Sequence, residues 1–260
     1  MLAHLVELIR ARELLASWSL REFRVRYSQS ILGAAWAILQ PLALMIVFSV
    51  VFSVFIQVPT DGIPYPIFAY TALLPWTFFA NALSMAIPSL VGNVNLVSRV
   101  YFPREILPLS AILVSFVDFI IASSLFVVLM SIYAIPVGPT LLLVPLIVLI
   151  QIMLTFGVSL FASAFNVFYR DVRFLIPLAL QIWLYLSPII YPISLIPEKY
   201  RALYFLNPMA VIIDSYRRVI LYRQMPDWPF LALAAVISFG LTLITYRYFK
   251  RAEREFADRI

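Results

Sequence analysis

The sequence predicts an all-α membrane protein with six transmembrane helices, an N-terminal amphipathic interface helix, and re-entrant outer helices between spans five and six. The 260 residues are 63% hydrophobic and 12% charged, whereas soluble domains carry roughly 25% charged residues. Long apolar intervals recur along the chain, and basic residues cluster in alternate connections between them. The chain has no cysteine and one histidine, so thiolate or histidine-based metal and triad chemistry is not expected.

Residues 1–34 are predicted to form a cytoplasmic interface segment. Residues 3–18 place apolar side chains at mostly helical spacing with charged residues between them, which is typical of a helix lying on a membrane surface. Ser19 and Glu22 match a capping box, which predicts a second helical piece through Arg26. The segment is interpreted as a surface anchor or as a docking face for a cytoplasmic partner, and the two roles are compatible.

Six apolar segments follow within residues 35–260, the predicted membrane domain. A helix crosses a bilayer with about 20 residues at ~1.5 Å per residue. Several segments have proline near one end, where a first helical turn tolerates it, but Pro75 is nearer mid-span and is expected to kink the second helix. The predicted spans are Ala35–Ile56, Ile67–Leu90, Ile106–Ile135, Leu141–Phe168, Phe174–Tyr191 and Phe230–Tyr246.

The basic residues predict the orientation of these spans. Fourteen of the 19 lie before the first span, in two alternate connections and after the last span, whereas the loops "QVPTDGIPYP" and "IPVGPT" carry none. Basic residues favour the cytoplasmic side, so both termini are predicted to be cytoplasmic. The other five basic residues fall on the predicted outer side and need an explanation: Lys199, Arg201, Arg217, Arg218 and Arg223.

The predicted outer segment, residues 191–227, is apolar but repeatedly interrupted by proline. Asn207 followed by Pro208 is a helix-start signal, yet the helix that follows is too short and too charged to cross a membrane. Irregular backbone at membrane depth persists only where it is buried in protein or lines a wet cavity. We therefore expect re-entrant or interfacial helices at the outer mouth. The alternative is an ordinary amphipathic hairpin that only seals the bundle.

Five stretches carry a family resemblance that covers essentially the whole chain. In order they are "REFRVRYSQSILGAAWAILQPL", "FAYTALLPWTFFANAL", "GNVNLVSRVYFPREILPL", "NVFYRDVRF" and "LSPIIYPISLIP…LNPMAVIIDSYRRVIL". Together they resemble the membrane subunit of type-2 ABC exporters for polysaccharides, the Wzm-like group of O-antigen, capsule and teichoic-acid permeases. One departure is Glu22, where the family more often has aspartate, a change that leaves the charge unaltered.

The resemblance implies a homodimer of six-span subunits with two separate ATP-binding cassette subunits on the cytoplasmic side of the bacterial inner membrane. The chain contains no G-x-x-x-x-G-K-[ST] loop. It is therefore predicted not to be an enzyme, and ATP and magnesium would bind to the partner subunits. The implied substrate is a glycan on a polyprenyl pyrophosphate, with O-antigen favoured over capsule or teichoic acid. Membrane lipids are expected partners, and nucleic acid is not.

The resemblance also implies that the N-terminal helix and the loop over residues 91–105 contact the ATPase. From the residues alone, what favours such a contact is that a short apolar and basic piece follows glycine and asparagine in this loop. A short exposed helix of this kind would fit a groove of a soluble partner. The residues predicted to couple to the ATPase are Asn95, Leu96, Val97, Arg99, Phe102 and Arg104.

Aromatic residues are candidates for lining a glycan channel. Aromatic faces stack on the C–H faces of sugar rings, and Tyr and Trp also offer a hydrogen bond. Phe facing lipid and Trp at the membrane interface are the ordinary alternative. The predicted lining residues are Tyr70, Trp76, Phe79, Trp183 and Tyr185.

Charged residues supply two further candidate sites. Asp118 lies well inside the third predicted span, where an isolated charge is costly. A proton-coupling role competes with a structural hydrogen bond to another helix or to the dimer mate. Arginine forks suit a pyrophosphate, although positive-inside topology and anionic lipid explain most of the basic residues. The predicted lipid-pyrophosphate contacts on the cytoplasmic rim are Arg24, Arg26, Arg170 and Arg173.

Two other functional classes compete with the exporter. A secondary transporter using Asp118 would usually have a broken helix in each half of the chain, and only one broken segment is evident, late in the sequence. A membrane enzyme acting on lipid-linked sugars needs catalytic acids or a metal cluster near the interface, and the acidic residues here are few and scattered.

Overall fold

The structure is a computed structural model that describes residues 7, 8, 10–60 and 62–259. Within these residues every regular element is helical, as the sequence predicts. The helices, in chain order, are α1 (Arg12–Tyr27), α2 (Trp36–Phe48), α3 (Tyr65–Ser89), α4 (Val94–Arg99), α5 (Ile106–Ile132), α6 (Val144–Phe168), α7 (Val172–Tyr185), α8 (Glu198–Tyr204), α9 (Pro208–Ile220), α10 (Trp228–Ala252) and α11 (Phe256–Arg259).

Among the described residues, five helical segments are long and apolar enough to cross a membrane, and they match predicted spans one to four and six. They are Gly33–Phe55, Tyr65–Ser89, Ile106–Ile132, Pro139–Phe168 and Trp228–Glu255. The fifth predicted span differs, because α7 ends at Tyr185 after 14 residues, or ~21 Å at 1.5 Å per residue. The α-helix does not reach Tyr191 because Pro188 lacks an N–H and disfavours helical geometry in the residue before it.

The first span changes its helix type towards its C-terminal end. Residues Ser49–Phe55 form a π-helix directly after α2. The wider turn persists at its end, where the Ile56 N–H donates to the Val51 carbonyl at 3.1 Å and the Val58 N–H donates to the Phe52 carbonyl at 2.8 Å. These bonds reach back five and six residues, whereas an α-helical bond reaches back four.

The helix α1 is continuous where the sequence predicts a break. The predicted capping box at Ser19 and Glu22 is wrong, because both residues lie inside α1. The Ser19 hydroxyl instead donates to the Leu15 carbonyl at 2.8 Å, a bond that serine makes within helices. The predicted helix over residues 3–18 extends partly outside the described residues, and its described part joins the second predicted piece.

The helix α3 is the centre of the bundle. Most of its side chains are buried, and it packs chiefly against α5 and α6. Pro75 lies inside α3 without ending it, and the Gln151 side chain of α6 donates to the Pro75 carbonyl at 2.7 Å. At Gly157 of α6, a Cβ would lie only 3.1 Å from the Thr242 backbone nitrogen of α10. Glycine at this position therefore permits the close packing of α6 and α10.

The predicted helix start at Asn207 and Pro208 is present. The Asn207 side chain caps α9 by accepting from the Met209 N–H at 3.1 Å, and Pro208 occupies the first turn, where its missing N–H costs little. Although α9 carries charges, nearly all of its residues are buried. It packs against α3, α6 and α10, so it is an integral part of the bundle rather than a surface hairpin.

Candidate transport and coupling sites

The irregular backbone after α7 is held by side chains from two other helices. Arg217 of α9 donates from Nη1 to the carbonyls of Pro188 and Tyr191, and from Nη2 to that of Ile189 at 2.8 Å. The Tyr65 hydroxyl of α3 donates to the Ile190 carbonyl at 2.8 Å. Four successive carbonyls, residues 188–191, therefore have partners. Irregular backbone persists within a membrane bundle only where its polar groups are hydrogen-bonded inside the protein, and these four carbonyls are.

Arg217 itself is almost fully buried, with 3% of its surface exposed. Its guanidinium lies over the Phe68 ring at 3.5 Å from the centroid. Burial lowers the pKa of Arg217 to about 10, so the group stays charged at neutral pH. The sequence marks Arg217 only as one of five basic residues on the predicted outer side. Its position on the buried face of an amphipathic helix is the signal that could have identified it.

A second set of contacts connects the end of α7 to the start of α9. The Trp183 Nε1–H donates to the Asn207 Oδ1 at 2.9 Å. The Asn207 side chain amide donates to the Leu186 carbonyl and to the Ser187 hydroxyl, each at 3.1 Å. The Tyr191 hydroxyl donates to the Tyr185 carbonyl at 2.8 Å. Asn207 thus caps its own helix and also fixes the chain that leaves α7.

The predicted glycan-lining residues occupy different environments. Tyr70, Trp76 and Phe79 are buried in the core of α3 with 0%, 4% and 0% exposure, and the Tyr70 hydroxyl donates to the Ala122 carbonyl at 2.9 Å. Trp183 is half-buried and packs edge-on against Phe79. Only Tyr185 of this set is largely exposed. A lining role for the three core residues would require a conformation that uncovers them, so it stays a prediction.

Asp118 is paired with two residues at the end of α1. Its Oδ1 accepts from the Tyr27 hydroxyl at 2.6 Å, and its Oδ2 lies 2.9 Å from Arg26 Nη1 in an ion pair without hydrogen-bond alignment. Burial, with the bond to Asp118, raises the pKa of Tyr27. The bond between Tyr27 and Asp118 joins two helices, as in the predicted alternative to a proton-coupling role. A cavity of about 40 Å³ adjoins the pair and includes Gln40 and Asn81 in its lining.

The predicted pyrophosphate contacts also separate into two groups. Arg24, Arg170 and Arg173 are exposed, and Arg173 lies over the Phe174 ring at 4.6 Å from its centroid. Arg26 is half-buried and is engaged by Asp118. Three of the four arginines therefore present free surface to a ligand, whereas Arg26 joins α1 to α5.

The predicted coupling residues combine an anchored side with an exposed side. Val97 and Phe102 are buried in a cluster with α10 and α11 residues, and Leu96 packs against that cluster. Arg104 donates to the carbonyls of Glu253 and Val97. Asn95 and Arg99 are exposed, as is Tyr101, with 93% of its surface accessible. Of the predicted coupling residues, only Asn95 and Arg99 are exposed to a partner in this arrangement.

A buried ion pair that the sequence did not indicate fixes the base of this segment. Glu105 has no exposed surface, and its Oε2 accepts from Lys250 Nζ of α10 at 2.6 Å. Lys250 also donates to Glu253 at 3.0 Å, and the Tyr246 hydroxyl donates to Glu105 at 3.3 Å. The predicted coupling segment (residues 91–105), the start of α5 and the end of α10 are thereby joined.

Among the described residues, five apolar helices long enough to span a membrane pack together, and this arrangement is that of a multi-pass membrane domain. The sequence matches the ABC-2 type transporter family over residues 13–221, and the chain belongs to this family. The resemblance stated from the sequence motifs is thus confirmed.

Three relatives illustrate the similarity. The O-antigen export system permease protein RfbA of Myxococcus xanthus is 33% identical over 260 residues, which cover 98% of each chain. An RfbA permease of Klebsiella pneumoniae is 27% identical over 239 residues, 92% of this chain and 91% of the relative. The polysialic acid transport protein KpsM of Escherichia coli is 22% identical over 237 residues, 88% of this chain and 90% of the relative.

Proposed function

We propose that this chain is the membrane permease subunit of an ATP-driven exporter that moves a lipid-linked polysaccharide, with O-antigen favoured, from the cytoplasm across the bacterial inner membrane. The observation that carries the proposal is the end-to-end similarity to an O-antigen permease, 98% of both chains. The five long apolar helices and the braced outer segment are what a transport domain requires. Capsule or teichoic-acid export is the alternative, favoured by the similarity to the polysialic acid transport protein.

The proposed topology has both termini in the cytoplasm and six crossings. In it, α7 and the irregular residues 186–190 together make the fifth crossing, because the 14 helical residues of α7 cover only ~21 Å of a ~30 Å hydrocarbon core. The segment over residues 191–227 then lies at the outer mouth, with α8 and α9 as re-entrant helices. Arg217 and Tyr65 donate hydrogen bonds to backbone carbonyls of residues 186–190. Because these bonds satisfy the carbonyls, the non-helical part of the crossing can lie at membrane depth.

The proposed assembly is a homodimer with two ATP-binding cassette subunits. Both α7 and the first span carry exposed apolar residues, including Phe174, Leu178, Ile182, Val50 and Val54. A second copy covering this surface would bring the two α7 helices and the exposed Tyr185 residues towards a common path. In the proposed assembly ATP and magnesium bind to the cassette subunits, which dock on the exposed side of the coupling segment.

The lipid pyrophosphate is proposed to contact the exposed rim arginines Arg24, Arg170 and Arg173. Guanidinium groups bind phosphate oxygens with paired hydrogen bonds, and these three are not committed to buried pairs. Proton-driven transport through Asp118 is less well supported. Its carboxylate is occupied by Tyr27 and Arg26, which is the arrangement of a structural brace.

The test is export itself. Loss of this chain should remove the surface polysaccharide and leave lipid-linked glycan inside the cell, and the wild-type chain should restore the surface polymer. The triple variant R24Q/R170Q/R173Q should insert and assemble normally but restore less export. The matched control R247Q/R251Q/R259Q removes three exposed charges from α10 and α11, outside the proposed contacts and outside the N-terminal helix. Normal surface glycan without this chain would overturn the proposed function, and equal loss in both variants would overturn the rim assignment.

A further inference from the structure

Three of the five outer basic residues converge on one concave site. A pocket of about 330 Å³ lies between α8, α9 and the chain before α8, and we name it the outer pocket. Its lining residues are Phe68, Pro192, Ile193, Ser194, Arg201, Asp214, Arg217, Arg218, Tyr222 and Gln224. Positive charge is unusual on the outer side of a bacterial membrane protein, so its concentration in a pocket calls for a ligand-based explanation.

The charges of the outer pocket do not cancel. Asp214 accepts from Arg218 Nε at 2.7 Å, and the same arginine has two further nitrogens. Arg201 faces Glu198 only at 3.9 Å, and the Glu198 side chain is 90% exposed to solvent, so this pair contributes little. Arg217 donates to carbonyls rather than to a carboxylate. Three cations therefore share one carboxylate, which favours an anionic ligand.

The position of the outer pocket indicates where that anion resides. Arg217 contacts Phe68, near the start of α3, and the Thr140 hydroxyl, near the start of α6, donates to the Val219 carbonyl of α9 at 2.7 Å. The pocket thus lies level with the ends of the spans, where lipid headgroups lie. Ile193, which is half-buried, gives the pocket an apolar side as well as a basic one, and the lining residues Phe68 and Pro192 are buried.

We propose that the outer pocket binds the phosphate group of an anionic lipid headgroup, one whose net charge is negative. Arg201 and Arg218 supply charge-assisted hydrogen bonds, buried Arg217 supplies positive potential, and the apolar wall receives the glycerol and upper acyl carbons. The inference rests on the outer placement of α8 and α9 in the proposed function, but it requires no particular exported glycan. It also explains why arginine occurs on this side of the membrane against the general topology rule.

The test compares Arg201→Gln with Lys199→Gln in the full-length chain. Both changes remove one charge from α8, but Lys199 lies over Tyr200 and outside the pocket. The purified proteins are mixed with phosphatidylglycerol and with phosphatidylcholine of equal chain length, and retained lipid is counted by native mass spectrometry. Wild type and K199Q should retain phosphatidylglycerol preferentially. R201Q should lose roughly tenfold in affinity, the value of one charge-assisted hydrogen bond.

A second variant and a displacement experiment distinguish lipid binding from the alternatives. The variant D214N/R218Q keeps the net charge of the pocket but removes one arginine fork, and it should also weaken retention. Displacement of the lipid by inorganic pyrophosphate at equal concentration would show that a free phosphate compound, not a lipid, is the ligand. Equal retention of both lipids by wild type, or equal losses in R201Q and K199Q, would overturn the proposal. This assay contains no ATPase and no glycan, so its failure is distinguishable from a failure of export.

Discussion

Two regions of the bundle stabilise buried charge in different ways. Asp118, in the middle of α5, and Glu105, just before α5, each meet a cation from another helix, Arg26 and Lys250. In the predicted outer part, Arg217 meets backbone carbonyls of a segment that has no helical partners for them. A carboxylate–cation pair joins two preformed helices, whereas a guanidinium with several fixed donors takes the place of a missing stretch of helix. The two carboxylate pairs therefore connect elements, and the Arg217 charge defines one.

The largest expected effect is from Arg217→Lys, which tests whether the outer charge acts through its geometry. Lysine keeps the charge but replaces the planar fork with a single ammonium. Some carbonyls among residues 188–191 would lose their partners, each at a cost of about 1–3 kcal/mol when buried. We expect the free energy of unfolding in mixed micelles to fall by about 3 kcal/mol. Arg223→Lys, at an exposed outer position, is the matched control, and equal stability of both variants would contradict the comparison.

An intermediate effect is expected at the pair formed by Asp118 and Arg26. Asp118→Asn and Arg26→Gln each remove one charge of a pair whose side chains are 7% and 26% exposed. A double-mutant cycle on the free energy of unfolding should give a coupling of about 1–2 kcal/mol, as for contacting residues in one network. A structural role predicts that export by D118N does not respond to collapse of the proton gradient beyond the response of wild type. Zero coupling, together with a gradient-dependent defect, would instead favour the proton-coupled alternative.

The smallest expected effect is from Tyr65→Phe. This change removes only the hydroxyl that donates to the Ile190 carbonyl and keeps the ring that packs against Phe52 and Phe68. The cost should be about 1 kcal/mol. Tyr133→Phe, a half-buried tyrosine near the end of α5, serves as the reference for a generic loss of a hydroxyl. A cost at Tyr65 no larger than at Tyr133 would show that the irregular segment does not depend on this bond.

The long apolar helices were predictable because about 20 consecutive apolar residues leave few alternatives to a membrane span. The Asn207 cap was predictable because capping is local in sequence. Ser19 was mispredicted because its pattern fits both a cap and a bond within a continuous helix, and neighbouring turns decide between them. The end of α7 was placed six residues too late because the apolar stretch continues past the point at which proline ends the helix.

The candidate sites were less predictable because burial depends on which face meets another helix. Val97 and Asn95 lie in one short segment, but Val97 is in the core and Asn95 is exposed. Tyr70 and Tyr185 are both span aromatics, and the structure covers one and exposes the other. The bonds between Arg217 and residues 188–191 join positions more than 25 residues apart, and no local pattern encodes them.

The π-helix at Ser49–Phe55 has a consequence for how this span tolerates insertion and deletion. Its backbone bonds accommodate an additional residue relative to an α-helix, and one residue corresponds to ~100° of rotation in an α-helix. The extra residue therefore resets the angular direction in which Val50, Val54 and Phe55 leave the helix. Deleting a single residue here would restore regular winding and turn this apolar face away from its present neighbours, without shortening the span by more than ~1.5 Å.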